Sequence, residues 1–290
     1  MRLKAELLLA AGNETGESPV WDERSQCLWW TDIPAKRLHR IDPATGLVGS
    51  FTMPGRVGCF ALRRSRGLVL AMEHGFSFFD PDSGAIETIA EPEVGLANHR
   101  FNDGRCDREG RFLAGSMNLA RDAASARLWQ LSRDKSVRPL ANDSTIANGL
   151  AFSPEGRVMY WVDGGRQQVF RFDYGSDGIA SNRRLWLERE SAPGRPDGGA
   201  VDADGCYWSG RWMGGCVVRF TPDGRVDRIV EVPASRVTMC AFGGADYRTL
   251  FITTANEGMS AAEKEAEPLA GGLFAIHLDV TGLPEPLFEG

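Results

Sequence analysis

The chain has 290 residues, enough for two ordinary domains, with 39 acidic against 33 basic side chains and a formal net charge of −6. That balance excludes a nucleic-acid partner, because a phosphate backbone needs a basic face, and no stretch approaches the roughly 20 apolar residues of a membrane-spanning helix. Six cysteines (Cys27, Cys59, Cys106, Cys206, Cys216, Cys240) form no C-x-x-C pair and read as buried free thiols of a reducing, cytoplasmic compartment rather than disulfides or a zinc site.

Taken in order, the N-terminal run Leu7-Leu8-Leu9-Ala10-Ala11 is brief for a signal-peptide core and follows Glu6, so it reads as a strand. At Glu17 a unit begins that recurs along the chain: a polar residue, a short apolar run, a tight turn, then a second run rich in aromatic and branched residues. Its clearest copy spans Asn148 to Asp163 (N-G-L-A-F-S-P-E-G-R-V-M-Y-W-V-D), a β-hairpin closed by Ser153-Pro154-Glu155-Gly156. Copies open at Glu17, Cys59, Asn102, Asn148, Asp197 and Met239, between 42 and 49 residues apart.

An apolar-rich strand ending on a turn residue accompanies each copy: Leu38 to Gly46, Phe76 to Gly84, Leu128 to Asp134, Val169 to Gly178, Val217 to Gly224 and Leu273 to Gly282. Six four-strand units at a period of about 40–50 residues predict an all-β, six-bladed β-propeller with four-stranded antiparallel blades around a central channel. The repeat leaves no linker, so residues 1–290 read as a single domain.

Blade one runs from Glu17 to about Phe51, blade two from Cys59 to Ile89, and blade three from Asn102 to Leu140. The N-terminal strand is expected to complete the last blade alongside Gly272 to Val280, which removes the open edges of the ring. Connections such as Glu91 to His99 and Ser191 to Pro196 belong at one mouth of the channel. The Glu-rich insertion Ala255 to Ala270, inside blade six, reads as a solvated surface excursion, and its stretch Ser260 to Glu267 is where a helix is expected.

Read down the repeat, the opening position holds Glu17, Cys59, Asn102, Asn148, Asp197 and Met239, each where an innermost strand begins. These residues therefore ring the axis at one depth. A single Asp or Asn there would carry no message, since both open strands by bonding turn backbone; four oxygen-bearing side chains from four blades do. Glu, Asn, Asn and Asp without imidazole or thiolate suit Ca²⁺, Mg²⁺ or Mn²⁺ better than a structural zinc. Arg100, two residues before Asn102, is either a surface arginine or a bidentate donor to substrate oxygens.

Other constellations are missing from the sequence. There is no G-x-S-x-G elbow and no phosphate-cradling glycine loop. His39, His74, His99 and His277 show neither metal-ligand spacing nor a matching nucleophile, and His39 and His277 read as packing or face residues.

Gly16-Glu17-Ser18-Pro19-Val20-Trp21, Arg100-Phe101-Asn102-Asp103-Gly104, Ala147-Asn148-Gly149-Leu150, Pro196-Asp197-Gly198 and Pro268-Leu269-Ala270-Gly271-Gly272 together resemble the SMP-30/gluconolactonase/luciferin-regenerating-enzyme family, in order and over nearly the whole chain. The resemblance implies a six-bladed propeller that hydrolyses a sugar lactone with one divalent metal ion (Ca, Mn, Mg, Zn or Fe) in the channel. It implies metal ligation by Glu17, Asn148 and Asp197, with Arg100 and Asn102 at substrate-binding positions. Asp197, ligand and neighbour of the attacking water, is then the expected general base. Animal members carry acidic residues after the G-[ST]-M motif, whereas here Gly115-Ser116-Met117 leads into Asn118-Leu119-Ala120, closer to bacterial sugar lactonases.

The expected partner is a small-molecule sugar lactone, not nucleic acid or membrane, and the oligomeric state stays open. Two other readings accompany this one. One is a metal-dependent aryl-ester or phosphotriester hydrolase, its apolar mouth supplied by Trp21 and Trp212. The other is a non-catalytic propeller that binds a ligand or partner, since fold does not fix function; convergent carboxylates argue against it.

Overall fold

The recurrent hairpins close through their turn chemistry. In the Ser153–Gly156 turn the Gly156 amide donates to Ser153 O at 2.9 Å, and Ser153 Oγ accepts from the amides of Arg157 and Val158, each at 3.1 Å. A hydroxyl thus satisfies turn donors that the ladder cannot reach.

A computed structural model describes residues 1–96 and 98–290; residue 97, within the connection expected over 91–99, lies outside the described residues. The chain forms six sheets, each ordered from an inner to an outer strand. The inner strands are Gly16–Asp22, Cys59–Leu62, His99–Cys106, Ala147–Phe152, Arg195–Val201 and Val237–Gly243. Each touches the next, and the last returns to the first, closing a six-bladed β-propeller.

Between every pair of neighbouring blades lies one hydrophobic cluster. Trp21, Leu28 and Trp30 of blade one pack with Phe251 and Leu273 of blade six, and Phe76 and Phe78 of blade two with Phe101 and Phe112 of blade three. The core is therefore a ring of inter-blade seams, and the channel is left to polar side chains. All six cysteines are free thiols, five of them buried. Among the described residues no helix is long and apolar enough to cross a membrane.

The N-terminus closes the ring as expected: Glu6–Leu9 pairs antiparallel with Leu273–His277 in blade six. It also goes further. Arg2–Lys4 pairs parallel with Val226–Glu231, adding a strand outside the four antiparallel strands of blade five. The added strand covers an outer edge whose backbone groups would otherwise be unpaired.

The C-terminal segment straps the channel end opposite the starts of the inner strands. Gly282 bonds Tyr247, Phe288 bonds Leu62 and Arg64, and Glu289 bonds Gly110. Phe288 is fully buried against Phe78. Arg105 donates to Glu285 at 2.8 Å and to Gly199 O at 2.7 Å, joining blade three, the strap and blade five.

The 255–270 insertion carries the helix Ala261–Ala266, with no buried residue and a reciprocal Ser260–Glu263 capping box. It is more than a solvated excursion, because its carboxylates reach back to the mouth. Thr15 Oγ1 donates to Glu257 Oε2 at 2.6 Å, and the Ser235 amide donates to Glu267 Oε2 at 2.7 Å.

Candidate metal centre

The side chains of the opening column are aimed by β-bulges. Pairing of inner with second strand shifts register between Glu17 and Val20, Phe101 and Gly104, Asn148 and Ala151, Pro196 and Gly199, and Val237 and Cys240. Five blades thus carry an irregularity at or around the column residue. Only blade two pairs regularly, and its column residue is Cys59. A bulge re-aims a side chain and frees backbone from the ladder.

The local sequence fits this distortion. Pro19, which has no N–H to give, sits in the first bulge, and Ser18 before it takes φ +49°. Gly149 has φ +58°, and a Cβ there would lie 2.4 Å from Tyr207 Oη and from Val162 Cγ2. Only glycine lets blades four and five approach this closely.

The bulges bring four of the predicted residues into one directed hydrogen-bond chain. Arg100 Nη1 donates to Asn102 Oδ1 at 2.8 Å and to Phe101 O at 2.8 Å. Asn102 Nδ2 donates to Asn148 Oδ1 at 2.6 Å, and Asn148 Nδ2 to Asp197 Oδ1 at 2.5 Å. The chain crosses blades three, four and five. Glu17, from blade one, accepts from the Ser18 amide at 3.1 Å and joins the others through charge.

Glu17, Asn148 and Asp197 are all buried. Burial holds the Glu17 carboxyl well above its usual range, and the Asp197 and Asp103 carboxylates add to the shift. Asp197 is pushed up to about 8, by burial first and then by Asp103. Burial pulls the Arg100 guanidinium down to about 10, against the raising effect of Glu257 and Glu17.

Asp103 received no role from the sequence, although it lies within the R-F-N-D-G motif. It is buried, with Oδ2 accepting from the Leu150 amide at 3.1 Å and Oδ1 without any hydrogen-bond partner. Three buried carboxylates therefore influence one another, while Arg100 is committed to amide and carbonyl oxygens. Such a set is costly unless a cation joins it.

The donor chemistry fits a hard divalent ion. Acidic, His and Cys side chains alone make no ready cluster of three among the described residues. The amide oxygen of Asn148 has one lone pair left after accepting from Asn102, so it could act as a third oxygen donor beside the carboxylates of Glu17 and Asp197.

Other predicted residues lie elsewhere. Trp21 is buried in the seam between blades one and six, stacked on Phe251 at 5.6 Å, so it does not line an apolar mouth. Trp212 is half-buried beneath Arg236. His39 stacks on Trp30, and His277 is exposed. His99, for which the sequence offered neither metal-ligand spacing nor a matching nucleophile, is bonded to Glu93 and to Ser125. No fixed sequence spacing marks that group.

A family description reading SMP-30/Gluconolactonase/LRE-like region matches residues 15–256. A 6-deoxy-6-sulfogluconolactonase of Pseudomonas putida is 42% identical over 276 residues, covering 95% of each chain. Regucalcin of Xenopus laevis is 36% identical over 296 residues, covering 99% of each. Among solved structures, a calcium-binding protein, regucalcin, from Agrobacterium tumefaciens superposes with a TM-score of 0.96 at 27% identity, covering 100% of this chain and 99% of the other.

Proposed function

Because the chain belongs to the SMP-30/gluconolactonase/LRE-like family, we propose that it is a metal-dependent lactonase opening a sugar lactone to its aldonic acid, with Glu17, Asn148 and Asp197 as metal ligands. The observation that carries this reading is the convergence of buried carboxylates on a directed amide chain ending at Asp197. The names of relatives from Pseudomonas putida and Agrobacterium tumefaciens support the substrate class and calcium as the ion.

A divalent ion held by Glu17, Asn148 and Asp197 would supply positive charge to polarise the lactone carbonyl and to keep Asp197 ionised. Asp197 takes a proton from the attacking water through the oxygen not held by Asn148. Asn148 fixes the plane of that carboxylate. Arg100 and Asn102 face the substrate's ring hydroxyls, and the bond between them sets the guanidinium before substrate arrives. At the opposite end Arg105 ties blade three to the strap through Glu285 and to blade five through Gly199.

Turnover of five- and six-carbon aldonolactones, followed by proton release, is compared with aryl esters and phosphotriesters, with added divalent metal and with chelator. The expected result is chelator-sensitive hydrolysis favouring lactones. Chelator-sensitive preference for aryl esters or phosphotriesters by orders of magnitude would overturn it.

A further inference from the structure

At the same mouth, apart from the carboxylate ring, three side chains from separate segments form a second polar constellation. Glu93 lies in the connection before blade three, His99 opens its inner strand, and Ser125 ends the loop between Phe112–Asn118 and Ala126–Leu131. His99 and Arg100 are neighbours on one strand, so their side chains leave on opposite faces. Arg100 joins the amide chain, and His99 turns away from it.

The hydrogen bonds set the tautomer that a neutral His99 ring adopts. Glu93 is fully buried; its Oε1 accepts from Ser116 Oγ at 2.7 Å and from Trp129 Nε1 at 2.8 Å. Its Oε2 lies 3.2 Å from His99 Nδ1. A carboxylate only accepts, so Nδ1 carries the proton and Nε2 of the neutral ring is an acceptor. Ser125 Oγ lies 2.9 Å from Nε2 and must donate to it. The imidazole is held almost out of solvent, whereas Ser125 belongs to the exposed stretch 119–125. Asn118 Nδ2 donates to Ser125 Oγ at 3.1 Å and to Asp122 Oδ1 at 2.9 Å, holding the serine in place.

We propose that Ser125, His99 and Glu93 form a second, metal-independent nucleophilic site that accepts small activated esters. Its wiring is that of a nucleophile, a base hydrogen-bonded to it, and a buried carboxylate orienting the base. Ser125 Oγ bonds to the ester carbonyl carbon while its proton passes to His99 Nε2. The acyl–oxygen bond then breaks, and the leaving alcohol or phenol takes the proton from Nε2. Water cleaves the acyl-Ser125 ester, losing one proton to Nε2, which is returned to Ser125 Oγ as the carboxylic acid departs. Only ester and water are consumed.

The test uses the full chain in the presence of chelator, which silences the proposed lactonase. A fluorophosphonate probe is added and the adduct located by peptide mass mapping; p-nitrophenyl acetate hydrolysis is followed in parallel for a pre-steady-state burst. One adduct at Ser125 and a chelator-resistant burst are expected. Ser125→Ala should lose both, and His99→Gln should slow both by about 10²-fold or more, the usual contribution of a positioned base. Ser136→Ala, at an exposed turn, should keep them. Thermal melts establish that each variant is folded. Because Ser125 is exposed, its variant keeps the test decisive if His99→Gln does not fold. No adduct at Ser125, or labelling of Ser125 no faster than of Ser136, would overturn the proposal.

Discussion

Asn148 and Asp197 meet across the boundary between blades four and five, the amide nitrogen of one 2.5 Å from Oδ1 of the other. The bond spends one carboxylate oxygen on orientation and leaves the second for chemistry. Each residue sits at or within a bulge, so neither side chain would meet the other in a regular ladder.

Asp197→Asn should therefore separate position from chemistry. The substituted amide retains an oxygen that can accept from Asn148, so folding should survive, while the proton acceptor is lost. A drop in lactone turnover of about 10²–10⁴-fold is expected, measured by proton release at saturating metal. Turnover near that of the parent chain would remove Asp197 as the base.

The raised carboxyls make the metal response depend on pH. Burial, with Asp103 beside it, pushes the Asp197 carboxyl up to about 8 from an ordinary value of 3.8. A carboxyl raised in the folded state contributes stability that is fully present below 3.8 and is lost as pH rises toward about 8, because the unfolded chain releases the proton first. An ion that needs the carboxylate opposes that loss. The metal-induced rise in melting temperature should thus be larger at pH 8 than at pH 5.5, measured in matched melts. A rise that shrinks with pH would contradict the buried-carboxylate account.

The propeller was legible because its evidence repeats: a turn such as Ser153–Gly156 recurs at blade spacing, and Glu17, Asn102, Asn148 and Asp197 stand in one column. The bulges were only hinted at, by Pro19 and Gly149, because register belongs to a strand pair and not to one strand. The parallel pairing of Arg2–Lys4 with Val226–Glu231 has no local signal at all. Trp21 stands four residues after the column residue Glu17, which a regular strand would put on the same face; the bulge between Glu17 and Val20 breaks that register, and Trp21 packs into a seam. Asp103 was in plain view within a motif, but its unpaired oxygen needed the packing of three blades. Glu93 and Ser125 come from loops and His99 from the start of a strand, and no spacing rule describes how these segments meet.

The strap gives a stability prediction remote from the site. Phe288 is fully buried between blades two and three, so Phe288→Ala should cost about 3–5 kcal/mol, the range for large-to-small aromatic changes in a core. Denaturant melts would read this. Since the strap lies at the opposite end of the channel, the metal-induced stabilisation should persist. A variant as stable as the parent would show that the strap does not hold the blades together.

Glu17 and Arg100 should divide the site into ion-holding and substrate-holding parts. Glu17 stands in blade one, Asn148 in four and Asp197 in five, so an ion bound by all three ties separated parts of the ring. Binding to the folded state alone adds about 2.7 kcal/mol at a hundredfold excess over Kd. Glu17→Gln keeps the shape but removes a charge, so both the metal-induced rise in melting temperature and lactone turnover should fall. Arg100 bonds Asn102 and Phe101 and no carboxylate of the ring. Arg100→Ala should therefore keep the metal-induced rise while KM increases or turnover drops. Thermal melts of both variants with and without metal, beside lactone kinetics, decide the matter. An unchanged metal response in Glu17→Gln would take Glu17 out of the ligand set, and a lost response in Arg100→Ala would mean that Arg100 supports the ion rather than the substrate.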